Sequence, residues 1–405
     1  LAQSRHHPEI CIAPGNAGTA AYGFNVPITA LTPSAVSAIV REREIDLVVI
    51  GPEAPLVEGV ADALREQGVL VVGPSAGAAQ IEGSKIFSKR LMEKAGIPTA
   101  RFQVAETPAE ALQILEAFPV PVVLKADGLA AGKGVVVAQS REEARGAIAD
   151  LMETKALGDA GSRIVIEEFL VGEEVSFIIL TDGTTIVPFP PTQDHKAIFD
   201  GDRGPNTGGM GAYCDSRILL PEIRDQILRE VVEPALRGME AEGVPFTGFL
   251  FVGLMLTKNG PRVLEFNARM GDPEAQVLLM ALDSDLVDLC IATAKGQLGD
   301  VSVSWKSGAA VCIVHAAPNY PGRPVLGQRI EGIADAEADG AIVFHAGTGV
   351  SDGHIVTTGG RVLGVAATAE TLPEAIQAVY RAASHIRFDG MQRRSDIGAK
   401  GLKRW

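Results

Sequence analysis

Short apolar runs that close on Gly-Pro and alternate with helix-period segments constrain this chain more than any other feature. Asp46 to Ile50 and Val69 to Val72 are two such runs, ending at Gly51-Pro52 and Gly73-Pro74. Val60 to Gln67 between them has helical spacing. Strand, helix and strand in that order favour a parallel sheet, which binds ligands at the carboxyl ends of its strands. The rhythm then changes. Val122 to Lys125 and Gly134 to Val137 read as strands joined by a glycine-rich loop, and Arg163 to Glu168 with Val175 to Ile179 read as a second strand pair. Together they make a small α+β lid. Gly248 to Leu256 and Arg262 to Asn267 form another pair about a Lys-Asn-Gly-Pro turn. Beyond residue 300 come strands at Ala309 to His315, Ala341 to His345 and Arg361 to Val365, then a helix at Pro373 to Ile386. Thr107 with Glu110, Ser140 with Glu143 and Thr371 with Glu374 have capping-box spacing and open three amphipathic helices.

At 405 residues the chain has room for two or three domains. Hydrophobic residues at 46% and charged residues at 21% exclude a disordered chain. The balance of 36 basic against 50 acidic side chains, a net −14, argues against nucleic-acid and anionic-membrane partners. An anionic ligand must therefore be met by local cations. Cys11, Cys214, Cys290 and Cys312 form no CxxC pair, which reads as reduced thiols in a cytoplasmic protein and not as a zinc site. No apolar stretch is long enough to span a bilayer, and the start has no signal-peptide core.

Four segments carry chemistry. In Lys125 to Gly134, a strand lysine precedes a loop holding Gly128, Gly132, Lys133 and Gly134. Its N–H groups and ammoniums suit phosphate oxygens, although the spacing is neither a P-loop nor a dinucleotide fingerprint. A solvated surface loop is the plainer reading. Val165 to Glu174 ends a strand in Glu167 and Glu168, follows with Phe169 and Leu170, and carries Glu174. That pattern suits a purine edge and ribose hydroxyls, or simply a solvated acidic strand end. Strand alternation puts Glu265 and Asn267 on one face and Phe266 on the other. One anionic and one neutral oxygen ligand suit Mg²⁺ that is otherwise held by phosphates and water, and Arg269 can clamp a carboxylate or phosphate. The alternative is a polar face pairing Arg269 with Asp272 or Glu274. Finally, Gln193-Asp194-His195-Lys196 leads into Gly204 to Tyr213, whose four glycines predict an irregular, ligand-wrapping loop or a plain connector. Gly15, Asn16, Ala17, Gly18 and Thr19, and the loop at Glu53, sit where a parallel sheet presents ligands.

In this order and spacing the four segments resemble the ATP-grasp superfamily. Within it, APGNAGTA, GPEAPLV, EGSKIFSK, KADGLAAGKGV, IEEFLVGEE, QDHK, GPNTGGMGAY and EFNARMGDPE resemble the phosphoribosylamine–glycine ligase family, also called glycinamide ribonucleotide synthetases. The likeness runs from about residue 11 to the SDIG at Ser395 to Gly398. It implies an α/β and α+β multidomain fold. The N-terminal parallel α/β domain spans residues 1–84, the ATP-grasp domain 85–295 with its lid over about 103–172, and a C-terminal β-rich domain 296–405. It also implies ligation of glycine to 5-phosphoribosylamine through glycyl phosphate, with ATP as co-substrate and Mg²⁺ or Mn²⁺ as metal, by a monomer of the cytoplasm. Carried over by motif, Lys85, Lys125, Gly128, Lys133 and Gly134 meet the ATP phosphates. Glu167, Phe169 and Leu170 meet adenine, and Glu174 the ribose. Glu265 and Asn267 hold the metal. Asp194, Asn206, Thr207, Gly208, Gly209, Met210 and Arg269 face glycine and the sugar phosphate, with Gly15 to Thr19 and Glu53 on the opposite wall. Lys125, Asp194 and Arg269 are the catalytic candidates.

Two departures stand out. The strand before Glu265, Gly248 to Leu256, carries no acid, a pattern that matches the glycine ligases. Family members also open with a strand, a Gly-Gly-Arg-Glu-His turn and a helix, whereas this chain is expected to start inside that helix, binding ATP yet impaired with phosphoribosylamine. The end at Trp405 suggests no further fused enzyme. Two rival readings are a bicarbonate-using carboxylase of the same superfamily and a nucleotide-binding protein without catalysis.

Overall fold

The computed structural model describes residues 1–129, 134–154 and 158–404. In the N-terminal part the strands pair in parallel, Leu47–Val49 with Leu70–Val72 and Cys11–Ile12 with Phe24–Asn25. Helices Pro33–Glu42, Glu53–Val57, Val60–Arg65 and Ala76–Gly83 surround them. The first ten residues form no helix, contrary to expectation. Pro8 disfavours helical geometry at His7, which takes φ 46°. Ser4 Oγ and Arg5 N–H instead donate to Asp285 at 2.8 and 2.9 Å, the cap of helix Leu286–Lys295.

A four-stranded antiparallel sheet follows, in the order Phe102–Ala105, Ile164–Glu168, Val122–Ala126, Val135–Ala138. Helices Pro108–Leu115 and Arg141–Ile148 back it over a core of Leu115, Phe118, Leu124, Ile148 and Ile166. Thr107 and Ser140 cap these helices, but Glu110 and Glu143 return to the N–H one residue ahead of the cap. Only Thr371 with Glu374 closes the full reciprocal box among the described residues.

The second strand pair of the lid does not form. Ile164–Glu168 stays in the small sheet, while Glu173–Thr181 enters a nine-stranded one beside Gly248–Thr257. Apolar alternation marks both segments as strands but does not say which neighbours they take. Residues 169–172 are the crossing between the sheets. The large sheet runs Gly260–Asn267, Gly248–Thr257, Glu173–Thr181, Thr192–Asp194, Gly211–Cys214, Ala309–Ala316, Arg361–Ala369, Ile342–His345, with Ile186–Pro188 also on Glu173–Thr181. Ala212 lies opposite Cys312, so this sheet passes without a break across residue 296. The expected irregular loop at 204–213 is partly strand: Arg203–Asn206 pairs with Ala197–Phe199, and Gly211–Cys214 is buried in the large sheet. Among the described residues no helix is long and apolar enough to cross a membrane.

Candidate functional site

Between the two sheets lies a cleft of about 910 Å³. Val123, Lys125, Val135 and Val137 of the small sheet line one side, and Leu264, Glu265 and Asn267 of the large sheet the other. The crossing contributes Phe169 and Leu170, and Phe169 is 41% exposed. Lys85, Gly128, Gly134, Glu167, Glu174, Asp194, Asn206, Thr207, Gly208, Arg269 and Glu53 also reach this cleft.

Glu265 and Asn267 share the cleft face of their strand, and Phe266 between them is 1% exposed in the core. Burial alone would raise the Glu265 carboxyl. Lys196, Lys85, Lys125 and Arg269 outweigh it and hold the group down at about 2. Asn267 donates Nδ2–H to Glu82 at 2.9 Å, which leaves its oxygen for another partner. An ionised carboxylate and a carboxamide oxygen on one face form a hard-oxygen donor set, and a hard divalent cation fits it.

Glu82 is the organiser of this corner. Its Oε1 accepts from Asn267 and from Arg269 Nη2 at 2.7 Å, and its Oε2 from Ala268 N–H at 2.7 Å. Burial raises its carboxyl, against the pull of Arg269. Arg269 also lies 3.3 Å from Glu53, at the start of helix Glu53–Val57. Its guanidinium is thereby fixed from two sides, with its charge reinforced by acids despite burial.

Lys85 opens helix Lys85–Ala95, capped by Ser84. Ser84 Oγ and Ile86 N–H both donate to Asp127 Oδ1, at 2.8 and 3.1 Å, and Arg163 holds the other oxygen at 2.7 Å. Asp127 thus ties the Lys85 helix to the end of the Lys125 strand. Lys125 donates to Leu264 O at 2.9 Å and lies 3.1 Å from Glu167, whose other oxygen faces Lys89 at 3.2 Å. Burial lowers the Lys89 ammonium to about 8.

On the far side, Lys196 stands 2.5 Å from Glu174 and 3.6 Å from Glu265. Burial opposes its charge, but Glu174, Asp194 and Glu265 raise it well above the ordinary lysine value. Asp194 is driven up by burial, with Lys196 pulling it down and Glu274, Glu174 and Glu265 pushing it up. Glu274, also raised by burial, accepts from Ser176 Oγ at 3.0 Å. Thr207 closes against Lys196 O at 2.8 Å, and Gly208 N–H donates to Tyr320 Oη at 3.0 Å. Arg361 donates to Gly208 O at 2.8 Å and pairs with Asp272 at 2.8 Å.

Several expected residues lie elsewhere. Met210 is fully buried with Ile198 and Ala316, because its N–H joins His195 O and its side chain turns inward. Gly209 does not line the cleft; at φ 118°, a side chain there would meet Pro273 at 2.5 Å. Gly15, Asn16, Ala17, Gly18 and Thr19 are not on the wall with Glu53. Asn16 donates to His345 O at 2.7 Å, Ala17 N–H to Thr348 O at 3.3 Å, and Asn16 Oδ1 takes the N–H groups of Gly18 and Thr19, so the loop's polar groups satisfy one another and the C-terminal sheet region. Lys133 lies outside the described residues. Sequence reasoning missed the roles of Glu82, Lys89, Lys196, Glu274, Tyr320 and Arg361. The first four sit inside EGSKIFSK, QDHK and EFNARMGDPE, close to residues that were singled out; Tyr320 and Arg361 gave no local signal.

The family models for phosphoribosylglycinamide synthetase match the chain in three pieces: the N domain at residues 1–82, the ATP-grasp (A) domain at 83–275 and the C domain at 310–400. A phosphoribosylamine–glycine ligase of Vibrio parahaemolyticus is 48% identical over 406 residues, spanning 100% of this chain and 95% of the relative. The crystal structure of a Thermotoga maritima phosphoribosylamine–glycine ligase is 37% identical, with a TM-score of 0.85 over 97% of this chain and 95% of that one. The biotin carboxylase domain of a Hydrogenobacter thermophilus 2-oxoglutarate carboxylase shares the fold at 17% identity, with a TM-score of 0.74 over 96% and 87% of the two chains.

Proposed function

Because the chain belongs to the phosphoribosylglycinamide synthetase family, we propose that it joins glycine to 5-phosphoribosylamine with ATP as co-substrate. Glycine's carboxylate oxygen attacks the γ-phosphorus, and the bond to ADP breaks. The amine nitrogen of phosphoribosylamine then attacks the carbonyl of glycyl phosphate, inorganic phosphate leaves, the nitrogen loses a proton, and glycinamide ribonucleotide forms. The observation that carries this reading is the convergence of Lys85, Lys125 and Arg269 with Glu265 and Asn267 in one cleft between two sheets.

Phosphoryl transfer asks chiefly for alignment and neutralisation of charge. In this reading Lys85 and Lys125 take the phosphate tail, and Phe169 and Leu170 of the crossing flank the adenine. Glu174 takes the ribose, a role that requires sharing Lys196. Glu265 and Asn267 hold Mg²⁺ or Mn²⁺, which supplies Lewis-acid charge to the phosphates when bound. Arg269, held by Glu82 and Glu53, has guanidinium donors suited to glycine's carboxylate. Asp194 and the Asn206 to Gly208 turn face the amine and the sugar phosphate. The small sheet, folding over the cleft, keeps water from the acyl phosphate. The protein acts as a monomer in the cytoplasm.

ADP release measured with ATP alone, with added glycine, with added bicarbonate, and with glycine plus phosphoribosylamine tests this. Glycine and phosphoribosylamine together should drive turnover. Bicarbonate-stimulated release, or release indifferent to both substrates, overturns the proposal.

A further inference from the structure

Lys89 lies behind the cleft and does not line it, yet it belongs to the same charge group as Lys125. The two ammoniums take opposite oxygens of one carboxylate: Lys89 Nζ stands 3.2 Å from Glu167 Oε1, and Lys125 Nζ 3.1 Å from Oε2. The side chains of Lys89, Lys125 and Glu167 are only 3%, 7% and 2% exposed. Lys89 is further held by Thr99 Oγ1 at 2.7 Å, and Thr99 donates to Val263 O at 2.7 Å, two residues from Glu265. This is a built triad with one net positive charge, of which Lys125 and Glu167 reach the cleft.

The chemistry of the cleft places a demand on it. A phosphate bound in the cleft would compete with Glu167 for the Lys125 ammonium. A buried carboxylate left with no cation loses several kcal/mol of compensation. A lone Lys125–Glu167 pair would therefore oppose phosphate binding. With a second ammonium already seated on the other oxygen, Glu167 stays compensated while Lys125 turns outward.

We propose that Lys89 is a positioning residue for nucleotide binding, the fixed counter-ion that keeps Glu167 neutralised and so frees Lys125 for the phosphate tail. This rests on the reading of the cleft as an ATP site, and Lys89 itself touches no substrate. The role depends on Lys89 being charged. The charged groups facing it are Glu167 and Glu168 from Ile164–Glu168 and Lys125 from Val122–Ala126, with Arg262 of Gly260–Asn267 3.7 Å behind Glu168. Helix Glu233–Ala241 meets the far end of the Lys89 helix, where Gly238 packs on Leu91 and Lys94 pairs with Glu242 at 2.5 Å. Lys89 loses its proton at about 8, so the device weakens through mildly alkaline pH.

The experiment is ATP–Mg²⁺ titration by calorimetry, alongside steady-state kinetics, of the full chain and of Lys89→Arg and Lys89→Met from about pH 7 to about pH 9.5. Wild-type affinity for ATP should fall as pH rises through about 8, while Lys89→Arg, which keeps its charge across this range, should bind without that fall. Lys89→Met should raise the ATP Kd by about tenfold or more, the loss of one partner from a buried charge group, with the glycine KM unmoved. An ATP affinity that is flat with pH in the wild type, an alkaline fall retained in Lys89→Arg, or wild-type binding by Lys89→Met overturns the proposal. If Lys89→Met does not fold, the two pH profiles decide. Failure of the ATP-site reading looks different: the wild type would not bind ATP at any pH.

Discussion

Replacing Glu82 with glutamine changes one atom's chemistry and almost nothing of the side chain's shape. Glu82 Oε1 serves two donors, from Asn267 and Arg269, and Oε2 serves the Ala268 N–H. Whichever way the new amide turns, its NH₂ faces at least one N–H. An unpaired buried donor costs roughly 1–3 kcal/mol. Arg269 also loses its nearer carboxylate, although Glu53 at 3.3 Å retains part of the charge. A broken buried pair costs roughly 3–5 kcal/mol when nothing substitutes. With Glu53 substituting in part, a total of about 3 kcal/mol is reasonable, and on the alignment of Arg269 and Asn267 it corresponds to about a hundredfold in rate. The assay is kcat/KM for glycine at saturating ATP and phosphoribosylamine, with thermal unfolding measured in parallel. The Glu82→Gln variant should lose about two orders of magnitude in kcat/KM. A folded variant within twofold of wild type would show that the Asn267–Arg269 corner does not depend on Glu82.

Two further tests read other parts of the structure. Glu265 is held at about 2, below its ordinary value, so the stability it contributes is present above the ordinary carboxylate range and is lost as pH falls towards about 2. The difference in urea unfolding between wild type and Glu265→Gln should therefore shrink from about pH 5 downward; a pH-independent difference would contradict the four-cation environment. Arg394, with a 0% exposed side chain, pairs with Asp396 at 2.7 Å and Asp202 at 2.9 Å and donates to Ala197 O at 3.1 Å, clasping the hairpin that ends at Lys196 and Thr207. Arg394→Met should lower stability by roughly 3 kcal/mol and raise the KM of glycine and phosphoribosylamine more than that of ATP; equal changes in all three would mean that the clasp only stabilises the fold.

What the sequence disclosed divides by distance along the chain. Glu265 and Asn267 were legible because strand alternation alone sets which residues share a face, and Phe266 in the core completes the pattern. Thr107, Ser140 and Thr371 were legible as caps because a cap is satisfied within three residues. Partner choice was not. Ile164–Glu168 and Glu173–Thr181 follow one another closely but belong to different sheets, and no periodicity in either announces the crossing at 169–172. Glu82 stands three residues before Lys85, yet its role was silent because its three donors lie some 185 residues away, on a strand end brought alongside by the fold. Lys89 reads as one more polar residue of an amphipathic helix until Glu167 is seen between it and Lys125. Gly15 to Thr19 shows why a donor-rich glycine loop is ambiguous in sequence, since the same pattern also arises where Asn16 folds the chain back on itself.

Anomalous diffraction from crystals grown with Mn²⁺ and ADP locates the metal and the nucleotide tail in one experiment. A manganese peak within ligand distance of the Glu265 carboxylate and the Asn267 carboxamide oxygen, bridged to phosphates that meet Lys85 and Lys125, is the predicted result. A peak seated away from both side chains, with the nucleotide outside the cleft between the two sheets, would contradict it.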